Sequence, residues 1–287
     1  MFKKLSNKNK QPENHQTQQV ISSNAKEMTK KELREIRKKD KSYIKNKEVC
    51  SLKNSPGNII EVRDVKKYYL SGSVSTLVLK EINLEIKEGE LAILYGKSGS
   101  GKSTLLNLIS GLDRVSKGHI IVANNNLSCL SDSKLTLFRR KHVSFIFQSY
   151  NLLQNLTGYD NVLTGSYLQK DKSKILDIDQ LFKDFEIEAI KDKYPSQMSG
   201  GQQQRISILR ALIKNSDIIF ADEPTGALDE ATSKIVLKLL QEINRKYKTT
   251  VVMVSHDPHI AQIADKVIYI ENGHIKKVEI NKNPLQL

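Results

Sequence analysis

A glycine-rich segment of this 287-residue chain combines residue types that bind phosphate. It fits the pattern G-x-x-x-x-G-K-[ST] and reads Gly96-Lys97-Ser98-Gly99-Ser100-Gly101-Lys102-Ser103. Phosphate oxygens need several backbone N–H groups converging on one point, and glycine lets the chain turn that tightly. Lys102 is predicted to reach the β- and γ-phosphates of a nucleotide, and Ser103 to ligate Mg²⁺. The alternative is a chance glycine-rich turn, but a predicted strand before the loop and a predicted helix after it favour phosphate binding.

Two adjacent acids form a second candidate site. The apolar stretch that begins at Asp217 ends in Asp222 and Glu223. A carboxylate at a strand end can hold Mg²⁺ through water, so Asp222 is a candidate metal ligand. Glu223 is then placed to polarise an attacking water as a general base. The alternative, a strand that ends in two solvated acids, is weakened by the phosphate loop upstream.

The elements that position these groups alternate between short apolar strands and helices, which predicts an α/β fold. We expect a mostly parallel core sheet, a small N-terminal antiparallel β subdomain and an inserted α-helical subdomain at about 158–198, all within a domain spanning 58–280. A helix is predicted after the phosphate loop, at Lys102–Ser110. The predicted strands are Ile59–Val65, Val78–Ile86, Leu91–Tyr95, Ile120–Val122, Val143–Phe147, Ile218–Ala221, Thr250–Ser255 and Val267–Ile270.

Five further segments resemble those of the ATP-binding subunits of ABC (ATP-binding cassette) transporters. Ser199-Gly200-Gly201-Gln202 is similar to the family signature, with Met198 in place of the usual Leu. The other four are Gln148, similar to the Q-loop glutamine; Gly226-Ala227-Leu228-Asp229, similar to the D-loop; His256, similar to the switch histidine; and Tyr69, similar to the aromatic residue that stacks on adenine. Tyr68 is the alternative for the last role. The resemblance covers about residues 58–280.

The resemblance implies a P-loop NTPase that hydrolyses ATP with Mg²⁺ and pairs head to tail with a second cassette, identical or not. Each ATP would lie between the phosphate loop of one chain and the signature of the other. The implied catalytic residues are Glu223, His256, Lys102 and Gln148. The implied Mg²⁺ ligands are Ser103, Gln148 and Asp222. ATP would contact Tyr69, residues 96–103 and Thr104; the partner's ATP would contact Ser199, Gly200, Gly201 and Gln202; and Asp229 would lie at the contact between the two chains.

Finer similarity points to one branch of the family. Gly111-Leu112-Asp113 and the residues around Gln148 and Glu223 resemble the lipoprotein-releasing, macrolide-exporting and antimicrobial-peptide-resistance ATPases. This implies export or extraction of a lipoprotein, peptide or drug through a separate membrane permease. Residues 160–165 depart from that branch, so the cargo stays open. The alternatives are an ABC importer, a soluble iron–sulfur-assembly type, and a catalytically dead cassette that serves as a scaffold.

Charge is concentrated at the N-terminus. Residues 1–57 hold 15 Lys/Arg against 6 Asp/Glu, within a chain of net charge +14. We expect residues 1–24 to be disordered and a helix to follow from Thr29 to about Lys47. Glu27–Lys47 would either rest on anionic lipid as a basic amphipathic helix or form a solvated tail. No aromatic pattern supports nucleic-acid binding. Residues 281–287 are expected to form a C-terminal tail.

The two cysteines, Cys50 and Cys129, lie far apart without a Cys-x-x-Cys pair. This spacing argues against a disulfide framework or a zinc site and favours a reducing compartment. No run of about 18 apolar residues spans a bilayer, and no apolar segment of a secretory signal follows the basic start. The sequence therefore predicts a cytoplasmic protein that lies on the inner face of the membrane through its permease.

Overall fold

The computed structural model describes residues 25–27, 47–71 and 74–287. The disorder expected for residues 1–24 and most of the helix expected from Thr29 lie outside these ranges. Two sheets share the described part of the chain. One cluster of buried apolar side chains packs the five-stranded sheet against one face of the six-stranded sheet, and a second cluster covers the other face of the six-stranded sheet. In the described residues, no helix is both long enough and apolar enough to cross a membrane.

The first sheet is antiparallel and has the strand order β1-β3-β2-β5-β6. In its long hairpin, β3 alternates exposed and buried side chains from Glu81 to Lys87, as expected of a strand with one face on the core, whereas Ile59–Val62 of β2 are all buried. The strands are β1 (Ala25–Glu27), β2 (Asn58–Ser71), β3 (Val74–Lys87), β5 (Lys117–Val122) and β6 (Asn125–Asn126).

The second sheet has the order β11-β10-β4-β9-β8-β7, and all its pairings are parallel except β10 with β11. Its central strands are buried on both faces, which explains their continuous runs of apolar residues. The strands are β4 (Leu91–Tyr95), β7 (Val143–Phe147), β8 (Ile218–Asp222), β9 (Thr250–Ser255), β10 (Lys266–Glu271) and β11 (His274–Ile280). The bounds of β4, β7 and β9 are those predicted from the sequence.

Helices cover the parallel sheet and form the insertion between β7 and β8. They are α1 (Lys47–Cys50), α2 (Lys102–Ile109), α3 (Asp132–His142), α4 (Gly158–Ser166), α5 (Ile178–Asp184), α6 (Gly200–Leu212), α7 (Glu230–Tyr247) and α8 (Pro258–Ala261). Between residues 158 and 198 the structure contains only helices, 3-10 turns and loops. The buried side chains of Leu181 and Phe182 join this insertion to the core of the parallel sheet.

Three strands, β1, β6 and β11, were not predicted from the sequence. Ala25–Glu27 forms β1, paired antiparallel with Val74–Thr76, so the predicted lipid-binding helix does not begin at Glu27. Three residues are too few to show an alternating pattern of apolar and polar side chains. The strand exists because β3 supplies its hydrogen-bond partners, and the sequence of residues 25–27 does not show that pairing. β11 pairs with β10 across a tight turn at Asn272 and Gly273, both of which have positive φ.

The expectation that the cysteines form no disulfide is wrong. Cys50 and Cys129 are bonded to each other, with Cα atoms 5.6 Å apart across a sequence separation of 79 residues. Tertiary hydrogen bonds bring the two segments together. The side-chain amide of Asn126 donates to the Val49 carbonyl. The backbone N–H of Asn54 donates to Asn124 Oδ1, and the backbone N–H of Asn124 donates to Asn54 Oδ1. Spacing along the chain could not reveal this proximity.

Candidate active site

Four of the predicted site segments begin where strands of the parallel sheet end. The register pairs Tyr95 with Ser255 and Phe147 with Asp222, so these carboxyl ends lie along one edge of the sheet. The phosphate loop follows Tyr95, and Gln148, Glu223 and His256 follow the other three strands. This edge is where ligands bind in open α/β sheets. The topology therefore brings together residues that lie up to 160 positions apart.

The phosphate loop curls around the side chain of Lys102. Its Nζ donates to the carbonyl oxygens of Gly96 at 2.7 Å and Lys97 at 2.9 Å. Gly101, with φ 105°, occupies a backbone region that is strained for any other residue, and it precedes the N-terminus of α2. Burial lowers the pKa of Lys102, while the nearby charges of Glu223 and Asp222 act in the opposite direction. Lys102 therefore lies close to both acids.

The remaining loop residues, Ser98, Gly99 and Ser100, form the turn of the phosphate loop. Among the described residues, Ser100 Oγ is one of the few buried side-chain atoms without a hydrogen-bond partner. Its backbone carbonyl accepts a 3.0 Å bond from Gly273, in the turn between β10 and β11. The unpredicted strand β11 thus helps to hold the loop. An unpartnered hydroxyl inside the turn fits a loop that binds a ligand rich in oxygen.

Ser103 and Asp222, two of the predicted Mg²⁺ ligands, lie within hydrogen-bond distance of each other. Ser103 Oγ donates to Asp222 Oδ1 at 3.1 Å, although 119 residues separate them. Burial raises the pKa of Asp222; the Ser103 hydrogen bond and the Lys102 charge act against it, and the Glu223 charge adds to it. In the described part of the chain, no three His, Cys, Asp or Glu side chains cluster as a metal site. The hydroxyl and carboxylate fit Mg²⁺, which prefers oxygen ligands and takes several from phosphate and water.

Glu223 is held in an unusual backbone conformation next to His256. Its φ is 45°, a left-handed value that costs free energy for a residue with a Cβ. The backbone N–H of Glu223 donates to Val254 at 3.2 Å, and its Oε1 lies 3.2 Å from His256 Nδ1. A Cβ built on Gly226 would lie 2.8 Å from Gln148 Nε2 and 3.3 Å from Glu223 Oε2. Gln148, Glu223 and His256 therefore lie close together.

Tyr69 lies beside the phosphate-loop helix. Its hydroxyl donates to Asp113 Oδ2 at 2.8 Å, while its ring remains 44% exposed. Burial and the hydrogen bond to Asp113 raise the pKa of Tyr69 to about 12, although a hydrogen bond with Thr104 acts to lower it. Thr104 belongs to the first turn of α2. An anchored hydroxyl and an open ring suit stacking on a base, which agrees with the choice of Tyr69 over Tyr68.

The signature residues lie at the start of α6. Ser199 Oγ accepts from the Gln202 backbone N–H, and Gln202 Oε1 accepts from the Ser199 backbone N–H. This capping box leaves Gly200 and Gly201 in the first turn of a 13-residue helix. Asp229 caps α7 differently: its carboxylate accepts from both the backbone N–H and the hydroxyl of Thr232. The signature and Asp229, which are expected to face the second cassette, thus both lie at capped helix N-termini.

Sequence reasoning missed two side chains of α6 that contact catalytic loops. Arg210 donates to the carbonyls of Tyr150 and Asn151, which directly follow the Q-loop and both have positive φ. Gln204 is fully buried and donates to the Pro224 carbonyl at 2.6 Å. Both residues lie four positions from a buried apolar residue of α6: Gln204 precedes Ile208, and Arg210 follows Ile206. This spacing was the available signal, because residues four apart share one face of a helix.

Comparisons with known proteins agree with this geometry. A family profile described as ABC transporter matches residues 79–226. A bacitracin export ATP-binding protein of Halalkalibacterium halodurans is 43% identical over 219 residues, which are 76% of this chain and 87% of that protein. The chain belongs to the ABC transporter family. This membership confirms the predicted family.

Two further ABC proteins extend the comparison. A putative ABC transporter ATP-binding protein of Mycoplasma genitalium is 49% identical over 230 residues, 80% of this chain and 49% of that protein. The chain therefore spans about half the length of this relative. A dimeric ATP-binding cassette solved with ADP and Pi, from Methanocaldococcus jannaschii, aligns with a TM-score of 0.70. It shares 36% identity, and the alignment covers 78% of this chain and 99% of that one. The predicted α/β cassette fold is confirmed.

Proposed function

We propose that this chain binds ATP with Mg²⁺, hydrolyses it, and thereby drives transport through a separate membrane permease. The observation that carries the proposal is the convergence at one sheet edge of three groups. Lys102 lies inside the phosphate loop, Ser103 bonds to Asp222, and Glu223 lies beside His256. A phosphate cradle, a pair of oxygen ligands and an activated carboxylate are the parts that phosphoryl transfer to water requires.

Each side chain has a distinct role in this proposal. Lys102 and the loop N–H groups neutralise and orient the β- and γ-phosphates. Ser103, Asp222 and Gln148 would hold Mg²⁺, which when bound offsets charge on the phosphoryl group. Glu223 polarises the attacking water, and His256 positions Glu223 through its Nδ1 atom. Glu223 and His256 line one pocket together with Gly96, Lys97 and Ser98 of the phosphate loop, which supports these roles.

The complete ATP site would need a second cassette, the same chain or another. The capped N-terminus of α6 offers backbone N–H groups from Gly200 and Gly201 for a γ-phosphate bound to the partner. Asp229, at the N-terminus of α7, would lie at the contact between the two chains. The dimeric state of the Methanocaldococcus cassette supports this arrangement. A site built from two halves closes around ATP and reopens after hydrolysis, which gives a mechanical stroke.

A groove between β7, the loop after it and α4 is the proposed docking site for the permease. Its volume is about 340 Å³, and it includes Asn151, Thr164 and Leu168. Leu153, Tyr167 and Leu168 are large apolar side chains exposed on this part of the surface. Such an apolar patch suits a short helix of a membrane partner. Docking there would place the chain on the cytoplasmic face of the membrane.

Export of a peptide, drug or lipoprotein is the proposed direction of transport. It is supported by the similarity to a bacitracin export ATP-binding protein and by the branch-level similarity at Gly111–Asp113. No such support exists among these relatives for import or for iron–sulfur assembly. The predicted contact of the N-terminal segment with anionic lipid also remains a proposal.

Substitution of Glu223 by Gln tests the catalytic assignment. Gln keeps the size of the side chain and an oxygen toward His256 but cannot accept a proton from water. We expect kcat for ATP hydrolysis to fall by about 10²- to 10⁴-fold, while ATP binding persists and ATP stabilises a dimer in size-exclusion chromatography. Glu230→Gln, an exposed acid seven residues away in the first turn of α7, is the control and should keep its rate. Normal turnover in Glu223→Gln would overturn the assignment.

A further inference from the structure

A buried glutamine joins the signature helix to the backbone beside the catalytic carboxylate. Gln204 has no exposed surface, and its Nε2 donates to the Pro224 carbonyl at 2.6 Å. Its Oε1 is buried without a hydrogen-bond partner in the described part of the chain. The carbonyl fixes which end of the amide faces it, because the opposite orientation would place two oxygens together. The Gln204 side chain therefore makes its hydrogen bond to Pro224 although its own buried oxygen remains without a donor among the described residues. A buried polar atom without a partner is costly, so we take the bond to Pro224 as the reason for an amide at this position.

The Pro224 carbonyl belongs to the turn that carries Glu223. That turn is strained, with Glu223 at φ 45°, and it closes through a 3.0 Å bond from the Gly226 N–H to the Glu223 carbonyl. Pro224 has no N–H with which to make a second backbone contact. The amide of Gln204 therefore supplies an external anchor for the peptide between Pro224 and Thr225. Loss of this anchor would let the turn relax toward a less strained backbone and move the Glu223 carboxylate.

The same helix holds a second catalytic loop. Six residues after Gln204, Arg210 donates to the carbonyls of Tyr150 and Asn151 in the loop after Gln148. The helix begins at the signature, where Ser199 and Gln202 cap it. A regular helix of 13 residues transmits displacement along its length because its backbone hydrogen bonds keep it stiff. Movement of the signature end thus reaches the loop beside Glu223 through Gln204.

We propose that Gln204 is a positioning residue for Glu223, which makes hydrolysis at this chain's own site depend on the position of its signature helix. In the two-chain arrangement, that helix contacts the ATP of the opposite site. Gln204 therefore links occupancy of one ATP site to the alignment of the catalytic carboxylate in the other. The inference rests on the proposed role of Glu223, and the experiment separates the two.

Gln204→Met removes the donor and keeps the side-chain length. In steady-state ATP hydrolysis by the purified full chain, we expect kcat to fall about tenfold, as for one lost hydrogen bond of about 1.4 kcal/mol. KM for ATP should stay within about twofold, because the phosphate loop is untouched. The matched control is Gln241→Met. Gln241 is also a buried helical glutamine that donates to backbone carbonyls, those of Ile263 and Leu285, but it touches no catalytic loop.

The outcomes are separable when Glu223→Gln is measured in parallel. If Glu223→Gln hydrolyses ATP normally, the role of Glu223 is wrong. If Glu223→Gln is inactive but Gln204→Met matches Gln241→Met in kcat, the role of Gln204 is wrong. A Gln204→Met variant whose KM rises at unchanged kcat also overturns it. Gln204→Asn, which keeps a neutral amide but is one methylene too short to reach the Pro224 carbonyl, is the second variant if Met does not fold, and it should lower kcat to a similar extent.

Discussion

Glu61 offers a stability test whose size follows from the structure. This carboxylate is only 1% exposed in β2, where it accepts hydrogen bonds from the Ser55 N–H and the Asn58 amide and pairs with Arg63. Burial alone would raise the pKa of Glu61, but the bonds from Arg63, Ser55 and Asn58 together lower it from 4.5 to about 2. At 1.36 kcal/mol per pKa unit, this difference contributes about 3 kcal/mol to folding at pH 7.

The sign of the pH dependence follows from the lowered pKa. The contribution is fully present above the unfolded-state pKa of about 4.5 and is lost as the pH falls toward about 2. It should amount to about 2 kcal/mol at pH 3.5. The free-energy difference between wild type and Glu61→Gln, measured by urea unfolding, should therefore shrink by about 1 kcal/mol between pH 7 and pH 3.5. Glu85→Gln is the control, because Glu85 lies opposite Glu61 in the neighbouring strand β3 but is exposed. A Glu61→Gln difference that is equal at both pH values would refute the reasoning.

Two further predictions concern the site. Tyr69→Ala should weaken binding of a fluorescent ATP analogue by about tenfold, as for one lost base–aromatic stack, whereas Tyr68→Ala should change it little; equal effects of the two substitutions would contradict the assignment of Tyr69. Arg210→Met should increase the rate of amide hydrogen exchange in residues 148–153 by at least tenfold. The substitution removes two charge-assisted hydrogen bonds to the carbonyls of Tyr150 and Asn151, whose backbones have positive φ. Unchanged exchange there would show that the loop holds its shape without Arg210.

Local sequence predicted the strands that consist of continuous apolar residues. The bounds of β4, β7 and β9 match the predicted ones. These strands are largely buried on both faces and therefore consist mainly of apolar residues, so each appears in the sequence as an apolar run. The same reasoning missed β1, β6 and β11, whose existence depends on partner strands rather than on periodicity. It also missed the bond between Cys50 and Cys129, which depends on contacts of Asn54 and Asn126 with distant backbone.

For the site, the sequence determined which residue types carry the chemistry and in which order they occur. The phosphate loop, the acids at Asp222 and Glu223, and the signature are local patterns, because a backbone anion site and a helix cap form within a few residues. Only the tertiary structure decided that Ser103 touches Asp222, that Glu223 faces His256, and that Gln204 and Arg210 hold catalytic loops. These contacts join side chains separated by 20 to 119 residues, and their geometry is set by strand order and helix packing, which no local pattern encodes.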